Sequence, residues 1–185
     1  MKKKLYILFI IFPLWGLGGL SCSDDDDTPN CQGIDCLPPA TQTGAGTFGC
    51  LVNGEPFYAF GSVQCQYQLI DGEYFFGVGF SRGCCFPRSI GIVGENIQLS
   101  LESDFILSTT DSGNMFAEIG FVYDENLPGV ISNTTDINNT GTLTITKFDE
   151  ENQIISGIFE FEILNPDDGE VYQITEGRFD SFYAQ

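Results

Sequence analysis

The sequence predicts an all-β domain: an antiparallel β-sandwich of about ten strands, with an up-and-down, lipocalin-like barrel as the alternative. Three observations lead there. Apolar and polar residues alternate with a period of two in successive short runs, the pattern of strands with one buried and one wetted face. Asn, Asp and Gly clusters suited to turns punctuate those runs every 8 to 15 residues or so. No stretch of the domain carries the 3.6-residue apolar stripe of a surface helix.

The elements follow in order from Thr47, where Pro- and Thr-rich sequence gives way to TFGCLV. VNGE (52–55) and IDGE (70–73) supply turn residues. Behind the second, Tyr74, Phe76, Val78 and Phe80 share one strand face, opposite Glu73, Gly77 and Gly79. Phe75 stands on that second face, where an exposed aromatic would suggest a partner surface. Ile97, Leu99 and Leu101 alternate with Gln98, Ser100 and Glu102 and predict a further strand. After the turn DSGN (111–114), Met115, Ala117, Ile119, Phe121 and Tyr123 line one face, and Leu143 and Ile145 do so among Thr142, Thr144 and Thr146. Phe159, Phe161 and Ile163 oppose Glu160 and Glu162, before PDDGE (166–170) turns the chain into VYQITEGRFDSFY.

The N-terminus has a different character. Three lysines precede sixteen mostly apolar residues and then Cys22, which is followed by Ser23 and four aspartates. Such a leader fits the n-region and h-region of an export signal; it is short for a spanning helix, and Pro13 interrupts it. It resembles a bacterial lipoprotein signal, with Gly19 where the usual lipobox carries Leu. The resemblance implies cleavage after residue 21 and lipid attachment at Cys22. The expected organisation is a signal peptide over 1–21, an acidic, Pro/Thr/Gly-rich tether over 22–46, and one domain over 47–185.

Without the leader, Arg82, Arg88, Lys147 and Arg178 face 26 acidic residues, leaving 22 uncompensated negative charges. Nucleic acid is thereby excluded as a partner, since phosphate binding needs clustered Lys and Arg. Six further cysteines, Cys31, Cys36, Cys50, Cys65, Cys84 and Cys85, read as a disulfide framework in an exported chain. Cys31 and Cys36 bracket a short loop and pair locally. Cys84 and Cys85 are adjacent; on a strand their side chains would leave opposite faces, and they are expected to take Cys50 and Cys65 in an order left open. Zinc sites favour paired C-x(2–4)-C knuckles, and one C-x4-C with a vicinal pair does not supply them.

Two segments, GTFGCLVNGEPF at the opening of the domain and SGIFEFEI with EGRFD at its close, resemble an uncharacterised family of Bacteroidota lipoproteins with an all-β domain. The likeness implies the fold and an address: outer membrane, lipid-anchored and surface-exposed, with a periplasm-facing orientation as the alternative. It brings no catalytic residue. The chain has no histidine, which removes Ser-His-Asp and Cys-His catalysis and most catalytic zinc sites. A carboxylate pair acting on a glycoside is the enzymatic option that remains. Neither Asp124–Glu125–Asn126 nor Asp149–Glu150–Glu151 has the spacing of a calcium loop. The expected function is a non-enzymatic binding or structural module, without a cofactor, for a protein or glycan partner. The alternatives are a small-ligand carrier with a lipocalin-like cavity and a glycan-binding accessory or hydrolase.

Overall fold

A computed structural model describes residues 31–82, 86–121, 131–165 and 168–185. The signal segment 1–21, Cys22 and the acidic run lie outside these residues, as do Cys84, Cys85, Tyr123, Asp124, Glu125, Asn126, Pro166 and Asp167.

A single 3-10 turn at Gly33–Cys36 precedes eleven strands: β1 (Thr47–Val52), β2 (Glu55–Phe60), β3 (Gln64–Ile70), β4 (Glu73–Ser81), β5 (Ser89–Glu95), β6 (Asp104–Leu107), β7 (Met115–Phe121), β8 (Ile131–Thr134), β9 (Gly141–Asp149), β10 (Ile154–Leu164) and β11 (Val171–Phe182). They form one continuous sheet in the order β2-β1-β11-β10-β9-β6-β7-β5-β4-β3, with β8 on β7, curled into a half-barrel. Pairing is antiparallel except where Leu107 of β6 lies beside Met115 of β7. At the far edge, β3 returns to the end of the chain: the Tyr67 N–H donates to the Ala184 carbonyl at 2.9 Å and the Ala184 N–H to the Cys65 carbonyl at 3.0 Å. The all-β expectation holds.

The alternating residues explain the curl. Phe76 and Val78 of β4, Met115, Ala117 and Ile119 of β7, and Leu143 and Ile145 of β9 all turn inward and are buried. Glu160 and Glu162 of β10 are exposed while Phe159, Phe161 and Ile163 are buried between them. One apolar face repeated round a twisted sheet favours its closing on itself, because only the concave side then leaves water. In the β1–β2 hairpin, Asn53 and Gly54 have φ of 50° and 86°, and in the β3–β4 hairpin Asp71 and Gly72 have 50° and 91°. Those signs are what a two-residue type I′ turn requires.

The closing motif is a packing unit. Gly157 of β10 pairs with Phe179 of β11, and Phe159 pairs with Gly177. A Cβ on Gly157 would lie 2.7 Å from the Phe179 ring, and one on Gly177 would lie 2.4 Å from both the Phe159 ring and its carbonyl. Each phenylalanine therefore covers the glycine opposite, filling the space a side chain would take.

Two expectations change. The strand expected over Ile97–Leu101 is a loop between β5 and β6. Asn96 and Glu102 bracket it with φ of 57° and 56°, which breaks extended pairing at both ends. Its backbone donors go elsewhere: Ile97 N–H to the Tyr74 carbonyl, Leu99 N–H to the Tyr67 hydroxyl oxygen at 3.1 Å, and Glu102 N–H to the Ile145 carbonyl. Leu99 is 3% exposed and plugs the interior, whereas Leu101 points outward. The compact unit also begins earlier than composition indicates, running from Cys31 to Gln185. Residues expected to belong to the tether are strapped across the outside of the sheet. Pro38 sits against Gly49 of β1, and the Gln42 amide donates to the Thr146 carbonyl of β9.

Asp180 of β11 holds the strap. Its carboxylate accepts six hydrogen bonds, from the Thr41 and Thr43 hydroxyls, the Thr43, Gly44 and Ala45 N–H groups and the Ser156 hydroxyl, at 2.6–3.3 Å. Asp180 is 1% exposed. Burial, the largest single influence, pushes its carboxyl pKa up, but the hydrogen bonds from Thr41, Thr43, Ser156 and Ala45 together outweigh it and hold the group at about 2.

Candidate functional site

The half-barrel has an end where β3 stops, β4 begins, the β9–β10 turn projects and the chain finishes. Cavities of about 420 to 810 Å³ are found at several places among the described residues, and the one at this end, of about 630 Å³, is lined by three tyrosines. Ligand sites of that size are common in the mouths of β-barrels.

Three tyrosines line it. Tyr67 of β3 faces inward and stacks on Tyr74 of β4, with ring centroids 5.2 Å apart and planes 9° from parallel. Tyr183, just past β11, meets Tyr67 edge-on at 6.1 Å. Phe148 of β9 closes the cluster from beneath, edge-on to Tyr67 at 5.4 Å. Sequence alternation sets these directions, since Tyr67 lies between outward Gln66 and Gln68 and pairs with Phe76. Edge-to-face and offset contacts of this kind fix ring orientation as well as burying area.

Polar groups converge on the same opening. Gln68, Glu150 and Gln185 line it beside the tyrosines, with Leu69 and Ile70 at the lip. Tyr67 accepts the Leu99 N–H, and burial pushes its phenol pKa up against that bond, with nearby Tyr74 and Glu150 adding in the same direction. Tyr183 is 4% exposed, and its hydroxyl has no partner among the described residues. No side-chain oxygen or nitrogen among these residues is both fully buried and unpaired, so that hydroxyl keeps access to solvent.

Of the residues singled out from the sequence, Tyr74 and Glu150 line this opening and the others fall elsewhere. Cys31 and Cys36 form a disulfide with Cα atoms 5.1 Å apart, closing the loop before the strap. Cys50 and Cys65 carry no disulfide to a described residue, and Cys84 and Cys85, their expected partners, lie outside the described residues. Both thiols belong to the apolar interior, Cys50 fully buried and Cys65 packed against the core, where a thiol acts as a small apolar side chain. Burial pushes the Cys50 thiol far up, only slightly offset by Arg82, and takes Cys65 up to about 12. Phe75 is half-buried on the outer face, opposite Gln68 and Glu95.

Asp149 ends β9, and Glu150 and Glu151 open the β9–β10 turn. The backbone and side-chain N–H groups of Asn152, with Lys147 at 3.1 Å, hold Asp149 at about 2. Among the described residues, no three acids or cysteines gather as a metal-binding group, and no helix is long and apolar enough to cross a membrane. Apolar alternation points to Tyr74 and leaves Tyr67 out, because QCQYQL alternates glutamine with mixed residues. Its period of two was nevertheless present.

These features define a class: an all-β half-barrel with a filled interior, a strapped flank and one aromatic opening. No family model matches the chain, and searches of curated proteins and of solved structures found no match.

Proposed function

We propose that the chain is a lipid-anchored outer-membrane lipoprotein, displayed at the surface, whose domain is a non-enzymatic binding module. The observation that carries the binding part is the tyrosine-lined opening, with an otherwise filled interior beneath it. Phe48, Phe57, Phe76, Phe159 and Phe179 occupy the space where a lipocalin-like carrier holds its cargo, so the carrier alternative has the weaker support. The anchor rests on the leader and on Cys22, the acidic run behind it, and the likeness of the opening and closing segments to Bacteroidota lipoproteins.

Metabolic labelling with a clickable fatty acid tests the anchor. The full chain is expected to take the label and Cys22→Ser to lose it. Label retained by Cys22→Ser, or resistance of the protein to protease added to intact cells, overturns the reading of a surface lipoprotein.

A further inference from the structure

We propose that the opening at the end of the half-barrel binds a small organic cation, an ammonium group carried on an apolar body. This rests on the reading of the domain as a binding module and names the ligand class of that site.

Three observations lead to it. The walls are aromatic: Tyr67, Tyr74 and Tyr183 line one cavity of about 630 Å³, Tyr74 only half-buried. Electron-rich ring faces attract cations, and aromatic enclosures are a recurrent way to hold ammonium groups. The rim is acidic. Glu150 lines the opening and Glu151 follows it, while Asp71 and Glu73 flank Leu69 and Ile70 at the lip, all of them exposed. Lys147, in β9 just before the neighbouring turn, is committed to Asp149, and no Lys or Arg lines the cavity. On a chain with a formal charge of −19, that opening repels carboxylates and phosphates and concentrates positive ligands. The third observation is independent of charge. Tyr183 lines the cavity, its hydroxyl keeps access to solvent and has no partner among the described residues, and Gln68 and Gln185 also make no side-chain hydrogen bond there. A few such polar groups in an otherwise aromatic cavity are suited to a polar atom of a ligand.

Other ligand classes fit less well. An anion meets Glu150 with nothing to neutralise it. A purely apolar molecule makes no use of the acidic rim or of Gln68 and Gln185. A neutral sugar satisfies the hydrogen bonds but makes no use of the acidic rim.

The test is a calorimetric titration of the full chain in nonionic detergent with benzyltrimethylammonium, benzyl alcohol, benzoate and methyl glucoside. The ammonium is expected to bind, with benzyl alcohol and methyl glucoside at least about tenfold weaker and benzoate undetected. Tyr74→Leu and Glu150→Gln are each expected to weaken ammonium binding by about twofold to thirtyfold, the range of one cation–aromatic contact. Glu150 is an exposed turn residue, so its variant keeps the fold. The loss in Glu150→Gln should shrink as salt is raised. Equal affinity for the alcohol or the sugar, or ammonium binding untouched by both substitutions, overturns the proposal. So does binding of a basic peptide without binding of the small ammonium. Fatty-acid labelling at Cys22 reads the other end of the chain, so either result can fail without the other.

Discussion

Asp180 shows how much one side chain can organise. It is the last residue of the closing GRFD segment, and nothing in its spacing announces that the strap will converge on it. A buried carboxylate with six donors and no cation is stable only as a charged acceptor, because protonation removes the acceptor that the strap's N–H groups share. Its pKa lies below the ordinary 3.8, so its contribution is complete above that value and is lost as pH falls through about 2. Asp180→Asn is expected to cost about 2–3 kcal/mol in urea unfolding at neutral pH, since an amide turns a donor toward donors. The variant should also lose part of the slope of stability against pH between about 4 and 2. Buried Cys50 and partly buried Cys65 give a second test at this scale. Cys50 and Cys65 are expected to resist iodoacetamide at pH about 8 in the folded protein and to react fully once it is unfolded in denaturant. Mass spectrometry reads the two adducts.

At the scale of elements, turns and faces were legible because their causes are local. Asn-Gly at 53–54 and Asp-Gly at 71–72 adopt the positive φ that those residues tolerate, and Phe159, Phe161 and Ile163 face inward as their alternation requires. The segment Ile97–Leu101 shows the limit. It alternates as a strand does, yet its donors were claimed by Tyr74, Tyr67 and Ile145, and no local rule reveals that competition. The glycines of the closing hairpin lie between these cases: their presence was visible and their partners were not. Because the Phe159 carbonyl is backbone and cannot swing aside, Gly177→Ala is expected to lower stability by about 1–3 kcal/mol. A fall in Tm larger than that of an alanine at exposed Gln173 would show it.

For the molecule as a whole, composition was informative about charge and silent about closure. The excess of acidic residues is legible by counting, and self-repulsion follows from it. Raising NaCl from about 10 mM to about 150 mM is therefore expected to raise Tm, as screening relieves that repulsion. An unchanged Tm would mean that the acids are already far enough apart. The tyrosine-lined opening could not be read in this way, because Tyr67, Tyr74, Glu150 and Tyr183 are brought together only by the curl of the sheet. The strap was hidden for a similar reason: Pro, Thr and Gly suit a free tether and a packed one equally.

The return of β3 to Ala184 also sets an order of events in time. A strand made early in synthesis has one edge without its final partner until Ala184, far along the chain, is available, and an unpaired edge is the part of a sheet most open to pairing with another chain. Gln64 and Gln66, polar and exposed along that strand, and the exposed acids of the hairpin beside it, make it a poor template for aggregation during the wait. Removing Ala184 and Gln185 would make the wait permanent, and the shortened protein is expected to aggregate on heating where the full chain refolds.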